Sequence, residues 1–212
     1  TWYDGIDSDC DGINDYDKDK DGFVPDEYAE QFGIPSDQKL PAGDCNDDDI
    51  SKNPSILEIC DGIDNDCDEI IPEDESDNDN DGYVQCTIDE SGWLGDVDKQ
   101  GDDCDDNDPF AHPNITTNEE DNSLCYKDSD GDGYGDNTTI NSVIAGSDCD
   151  DNNILTNPVA PEICDGTDNN CDEIIPEDEH DNDNDGYVQC TIDESGWLGV
   201  VDKQGDDCDD NE

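Results

Sequence analysis

Carboxylates at every second position, followed by glycine and an aromatic residue, recur four times in this 212-residue chain: DKDKDGF, DNDNDGY, DSDGDGY and DNDNDGY. Side-chain oxygens at positions 1, 3 and 5, with a main-chain carbonyl at 7, can wrap a hard cation, and glycine at 6 permits the sharp turn. The candidate ligands are therefore Asp17, Asp19, Asp21 and Phe23; Asp77, Asp79, Asp81 and Tyr83; Asp128, Asp130, Asp132 and Tyr134; and Asp181, Asp183, Asp185 and Tyr187. An EF-hand loop ends on Glu at position 12, but here that position holds Tyr28, Ile88, Thr139 or Ile192. The shell must be closed from another loop or by water, and no amphipathic helix pair flanks the loops.

Two further boxes carry alternating oxygens. A CDG box reads YDGIDSDCD, CDGIDNDCD and CDGTDNNCD. It offers Asp7, Asp9 and Asp11; Asp64, Asp66 and Asp68 with Glu75 at position 12; and Asp168, Asn170 and Asp172 with Glu179 at position 12. Glu69 and Glu173 occupy position 6 in the later two, which weakens the sharp-turn argument there. A DC box offers Asp44, Asn46 and Asp48; Asp103, Asp105 and Asn107; Asp148, Asp150 and Asn152; and Asp207, Asp209 and Asn211, with Glu58 and Glu162 as possible caps downstream. The donors are hard oxygens, which favours calcium over copper, and magnesium prefers to keep several waters.

Composition frames these loops. Sixty-six acids against seven bases leave a formal charge of −59, and only 29% of residues are apolar. Such a chain is expected to be disordered unless something other than a hydrophobic core organises it. Eleven candidate loops, each with a divalent ion, would cancel 22 of those charges. Without ions, each close carboxylate pair costs ~1–4 kcal/mol, so folding and metal binding are expected to be coupled. A nucleic-acid partner is excluded by the absence of a basic face, and no apolar run is long enough for membrane insertion as a helix. With acids this abundant, paired carboxylates are no sign of catalysis, and no nucleophile or P-loop motif is present, so no enzyme is expected.

The elements that must position the loops are repeats. Residues 58–108 and 162–212 match at an offset of 104 with five differences, and 1–57 and 109–161 carry the same boxes in more divergent form. Four repeat units follow: 1–57, 58–108, 109–161 and 162–212, the third lacking the CDG box and carrying NEEDNSLC in its place. The predicted fold class is small and irregular: calcium- and disulfide-stabilised tandem repeats with little regular secondary structure. One short helix is predicted over 24–33, and short strands over 83–88 and 187–192. Trp93 and Trp197 are expected to be apolar plugs of a minimal core.

Twelve cysteines point to an oxidising compartment and a secreted or surface location. The DC-box to CDG-box cysteine steps, 45 to 67, 104 to 125 and 149 to 171, are 22, 21 and 22 residues, which makes Cys10, Cys67, Cys125 and Cys171 one equivalent class. The expected pairing joins them within units to Cys45, Cys104, Cys149 and Cys208, leaving Cys60–Cys86 and Cys164–Cys190. A local Cys60–Cys67 bridge is the rival.

The succession GDDCDDNDP, EICDGIDNDCDE and DNDNDGYV resembles the bacterial and archaeal metal-binding repeats of the MopE type, over essentially the whole chain. DxDxDG with cysteines is also similar to thrombospondin type 3 repeats. That likeness implies calcium ions strung along an irregular, disulfide-linked chain. The MopE resemblance implies large secreted or surface proteins and no enzyme activity. The copper in that family's name is not matched by two histidines and no methionine.

The function expected is a calcium-binding extracellular structural repeat protein, a segment of a surface fibre or rod whose copies meet head to tail. The first box of one copy is expected to dock on the last calcium loop of the next. The alternative is a calcium-dependent adhesion module binding glycans or cells through unit three or through Trp93 and Trp197. A third reading is mineral or metal sequestration. Asn114 and Asn137 begin sequons for N-glycans.

Overall fold

The computed structural model describes residues 2–4, 15–192 and 196–208. Little of the chain is regular, as the composition predicts. Two two-residue to three-residue strand pairs stand out. β1 (Val24–Pro25) lies parallel to β2 (Ala42–Asp44) with an irregular register, and β3 (Ala111–Pro113) lies antiparallel to β4 (Cys125–Lys127). Single parallel bridges join Tyr83 to Gln100 and Tyr187 to Gln204, where the sequence suggests longer strands, and a third joins Asp136 to Asp148. The expected helix over 24–33 shrinks to one 3-10 turn, Asp26–Tyr28. Pro25 starts it, and Gln31 at φ 41 leaves helical geometry. Further 3-10 turns at Glu73–Glu75 and Glu177–Glu179 also follow a proline.

The chain divides into two compact units. One comprises Thr1–Asn78 with Gly82–Gly101, the other Asp79–Asp81 with Asp102–Glu212. The interior of each is mainly polar. Among the described residues eight apolar side chains are buried, including Tyr16, Val24 and Val84 in the first unit and Tyr126, Val143 and Val188 in the second. Twenty polar or charged side chains are buried beside them. This inverts the usual rule, so hydrophobic burial alone does not account for the fold. Trp93 is half-buried and lies outside that core. Its indole presses on Gly62 and Gly95, where a Cβ would come within 2.5 and 2.7 Å of the ring. Trp197 repeats the contact on Gly166 and Gly199.

Disulfides supply much of the missing constraint. Cys60–Cys86 and Cys164–Cys190 form as expected. The other pairing is corrected: Cys45 joins Cys67, Cys104 joins Cys125, and Cys149 joins Cys171. The 22- and 21-residue steps are thus the loops that the bridges close, not distances between unpaired equivalents. Each bridge ties a DC box to the next CDG-type cysteine, across the boundaries drawn from sequence. The expected partners Cys67–Cys104, Cys125–Cys149 and Cys171–Cys208 do not form, because each Cys67-class residue is already taken from upstream. Cys208 is a free, exposed thiol, and Cys10 lies outside the described residues.

Replacing both Cys60 and Cys86 by Ser is expected to lower unfolding free energy by about 3 kcal/mol, the usual effect for a closed loop of this size. Denaturant titration checks it. Non-reducing peptide mapping should recover Cys45 bridged to Cys67 and not to Cys10.

Candidate metal centres

Each DxDxDG segment folds by bonding its carboxylates to its own backbone. In the first, Asp17 Oδ1 accepts the Asp21 N–H (3.2 Å) and Asp17 Oδ2 the Gly22 N–H (3.0 Å). Asp19 Oδ1 accepts from Asp21 (3.1 Å) and Asp21 Oδ1 from Phe23 (2.7 Å). The 181–187 loop repeats all four bonds. Position 6 takes φ 95, 98, 93 and 98 at Gly22, Gly82, Gly133 and Gly186, the left-handed region that glycine enters without penalty.

The CDG box adopts the same loop. Asp64 accepts from Asp68 (3.1 Å) and Glu69 (2.8 Å), Asp66 from Asp68 (3.2 Å), and Asp68 from Ile70 (2.8 Å). Glu69 and Glu173 at position 6 sit at φ 68 and 66. The sharp turn therefore forms without glycine, at a cost of roughly 1–2 kcal/mol per residue. The CDG box of unit one, with Asp7, Asp9 and Asp11, lies outside the described residues.

Loop closure comes from elsewhere in the chain, as the missing position-12 Glu requires. β1–β2 pairing sets Asp44, at the end of β2, against the 17–22 loop that precedes β1. Carboxylate oxygens of Asp19, Asp21 and Asp44 lie within 4.8 Å of one another. Asp44 is 5% exposed. The Oδ2 atoms of Asp19, Asp21 and Asp44 are all buried without a hydrogen-bond partner. In the second compact unit Asp103 meets the charges of Asp79 and Asp81, Asp148 those of Asp130 and Asp132, and Asp207 that of Asp183. Oδ2 of Asp103, Asp130, Asp148 and Asp183 is likewise buried and unbonded. Carboxylate oxygens so placed, with no donor to serve them, fit a cation.

The DC box and the DxDxDG loop thus build one centre, where the sequence reading had two. The DC box also presents different residues from those expected. It turns tightly, with Asp49 N–H on Asn46 O and Asn153 N–H on Asp150 O, so the inward period is three rather than two. Asp47, Asp106 and Asp151, which sequence reasoning missed, are buried beside Asp44, Asp103 and Asp148. Their signal was the second acid of DCxD. Asp47 lies with Asp17 and Asp19 but serves the Lys18 N–H and the Tyr3 hydroxyl. The alternate residues do not converge on these centres as expected. Asp48 pairs with Lys18 on the surface, and Asn107, Asp150 and Asn152 are exposed. Asn46 and Asp105 are half-buried. Asp209 and Asn211 lie outside the described residues.

The CDG loop is closed by an upstream residue. Glu58 lies with Asp64 and Asp66, its Oε1 accepting the Asn65 (2.9 Å) and Asp66 (2.7 Å) N–H groups and its Oε2 buried and unbonded. Glu162 serves Asn169 and Asn170 alike. Glu75 and Glu179, expected at position 12, turn away instead. The 3-10 turn after Pro72 delivers Glu75 to the Asp61 (3.2 Å) and Gly62 (2.7 Å) N–H groups, and Glu179 repeats this at Asp165 and Gly166. The grouping of Asp148 with Cys149 and Cys171 is not a thiolate site, because those sulfurs form a disulfide.

These observations define a class: tandem acidic loops that fit cations, stapled by disulfides between repeats. Residues 2–16, 44–73, 103–122 and 148–177 match the family model Cu-binding_MopE, described as a putative metal-binding motif. The chain thus carries MopE-type repeats, in four matched segments. No curated protein and no solved structure matches it.

Burial, reinforced by neighbouring carboxylates, pushes Asp44 and Asp103 up to about 6 and Asp148 up to about 7, against the opposing effect of backbone N–H bonds. Folded values above the unfolded value of about 3.9 mean that metal-free stability is greatest at low pH and declines as pH rises from about 4 through 6–7. Thermal unfolding in EDTA should therefore give a higher Tm at pH 5 than at pH 7.5. With calcium the order should reverse, because protons compete for the same oxygens. Asp148→Asn should raise the metal-free Tm at pH 7.5 while weakening calcium binding.

Proposed function

We propose that the chain is a calcium-binding structural repeat protein of an extracellular fibre or rod. The convergence of the orphaned Asp19, Asp21 and Asp44 oxygens carries this reading. Calcium accepts six to eight oxygen ligands in flexible geometry and suits shells assembled from several carboxylates and water. Copper would favour nitrogen or sulfur donors, and the cysteines beside the DC boxes at 45, 104 and 149 are held in disulfides. Disulfides between successive repeats support an oxidising location, and no helix among the described residues is long and apolar enough to cross a membrane. The role is one of shape and cohesion rather than turnover.

Copies meet head to tail in this reading. The first box of one copy docks on the last calcium loop of the next, a contact that depends on the bound ion. Asn114 and Asn137 are exposed and are the positions for N-glycans. Adhesion through Trp93 or Trp197 is the weaker reading, since both indoles are engaged by their own repeats.

Elemental analysis and electron microscopy of the purified protein, with and without EDTA, test the proposal. Calcium should be the dominant bound metal, and filaments should dissolve on chelation and return with calcium. Bound copper, or filaments indifferent to EDTA, would overturn it.

A further inference from the structure

The loops are not equal. In the 181–186 loop, Asp181 Oδ2 accepts the Gly186 N–H and also pairs with the Lys203 ammonium. Asp181 is 3% exposed at its side chain and Lys203 20%, so the pair is largely withdrawn from water. Lys99 makes the same pair with Asp77, at the same burial. The first position of the other two loops is served by backbone alone: Asp17 by Lys20, Asp21 and Gly22, and Asp128 by Gly131 and Gly133. The difference has a single sequence cause. The residue four before the first DC-box Asp is Lys99 or Lys203 in one pair of repeats, and Leu40 or Ile144 in the other.

We infer that Lys99 and Lys203 are built-in cations that set a second, weaker class of ion-binding loop. This inference rests on the proposed cation-binding role of the loops. An ammonium on the position-1 carboxylate occupies an oxygen that a dication would use and lowers the site's net negative charge. Ligand charge is one of the quantities that tune calcium affinity in such loops. A dication entering the 181 loop must displace Lys203 or bind without the full position-1 carboxylate. The same lysine relieves carboxylate repulsion when the loop is empty. Loops starting at Asp17 and Asp128 therefore fill first, and loops starting at Asp77 and Asp181 keep their shape while empty and fill later.

Calcium titration of the full chain by calorimetry tests this. The native chain should show a tight and a weak class. Lys99→Gln with Lys203→Gln should tighten the weak class roughly tenfold, or about 1.4 kcal/mol, with the number of ions unchanged. Ile144→Lys should move one site from the tight class to the weak one. Lys39→Gln, which removes an equal charge from a surface pair with Glu30, should change neither class. An isotherm unaltered by the lysine substitutions, or altered equally by Lys39→Gln, overturns the inference while leaving the loops as calcium sites. Failure of every variant and of the native chain to bind calcium overturns the proposed function itself.

Discussion

Buried carboxylate oxygens facing one another dominate this molecule. Such an arrangement is unfavourable on two counts, desolvation and mutual repulsion. Asp44, Asp103 and Asp148 show both in their raised proton affinity. The chain has eight buried apolar side chains among its described residues with which to oppose that cost. Its other resources are covalent bridges, carboxylate-to-backbone hydrogen bonds and the cations the loops fit. The energetic centre of these loops is thus a set of facing carboxylates rather than a hydrophobic cluster.

Economy of means explains how so irregular a chain has a defined path. One loop geometry serves both the DxDxDG segments and the CDG boxes, with the same four Asp-to-backbone bonds. The bonds are short-range and survive exchange of Gly22 for Glu69 at the strained position, because Asp64 still receives the N–H presented there. Long-range order then needs few contacts. A strand pair of two or three residues brings Asp44 to its loop, and a disulfide carries the next CDG box alongside the DC box.

Charge is also distributed unevenly. Seven basic residues cannot balance 66 acids, yet Lys99 and Lys203 are placed on the first carboxylate of a loop rather than scattered over the surface. Two nearly identical repeats therefore differ electrostatically from the other two despite sharing their loop motif.

The spacing of Asp and Gly was enough to identify the acidic turns, because their defining bonds span no more than five residues. Cysteine density likewise announced a bridged, irregular fold, and Cys60–Cys86 was legible as the pair absent from the divergent repeats. What spacing left open was which loops combine. Asp44 joins the 17–22 loop, Glu58 rather than Glu75 closes the CDG box, and Cys45 bonds forward to Cys67. In the DC box the alternation of oxygens pointed to Asp48, while the folded turn buried Asp47. These outcomes depend on contacts between segments separated by seven to more than twenty residues. Sequence by itself determined the local ligand-bearing turns, whose geometry is encoded within a hexapeptide. Tertiary structure alone decided which turns share a cation-shaped space, because that requires the burial and repulsion of carboxylates to be satisfied together in three dimensions.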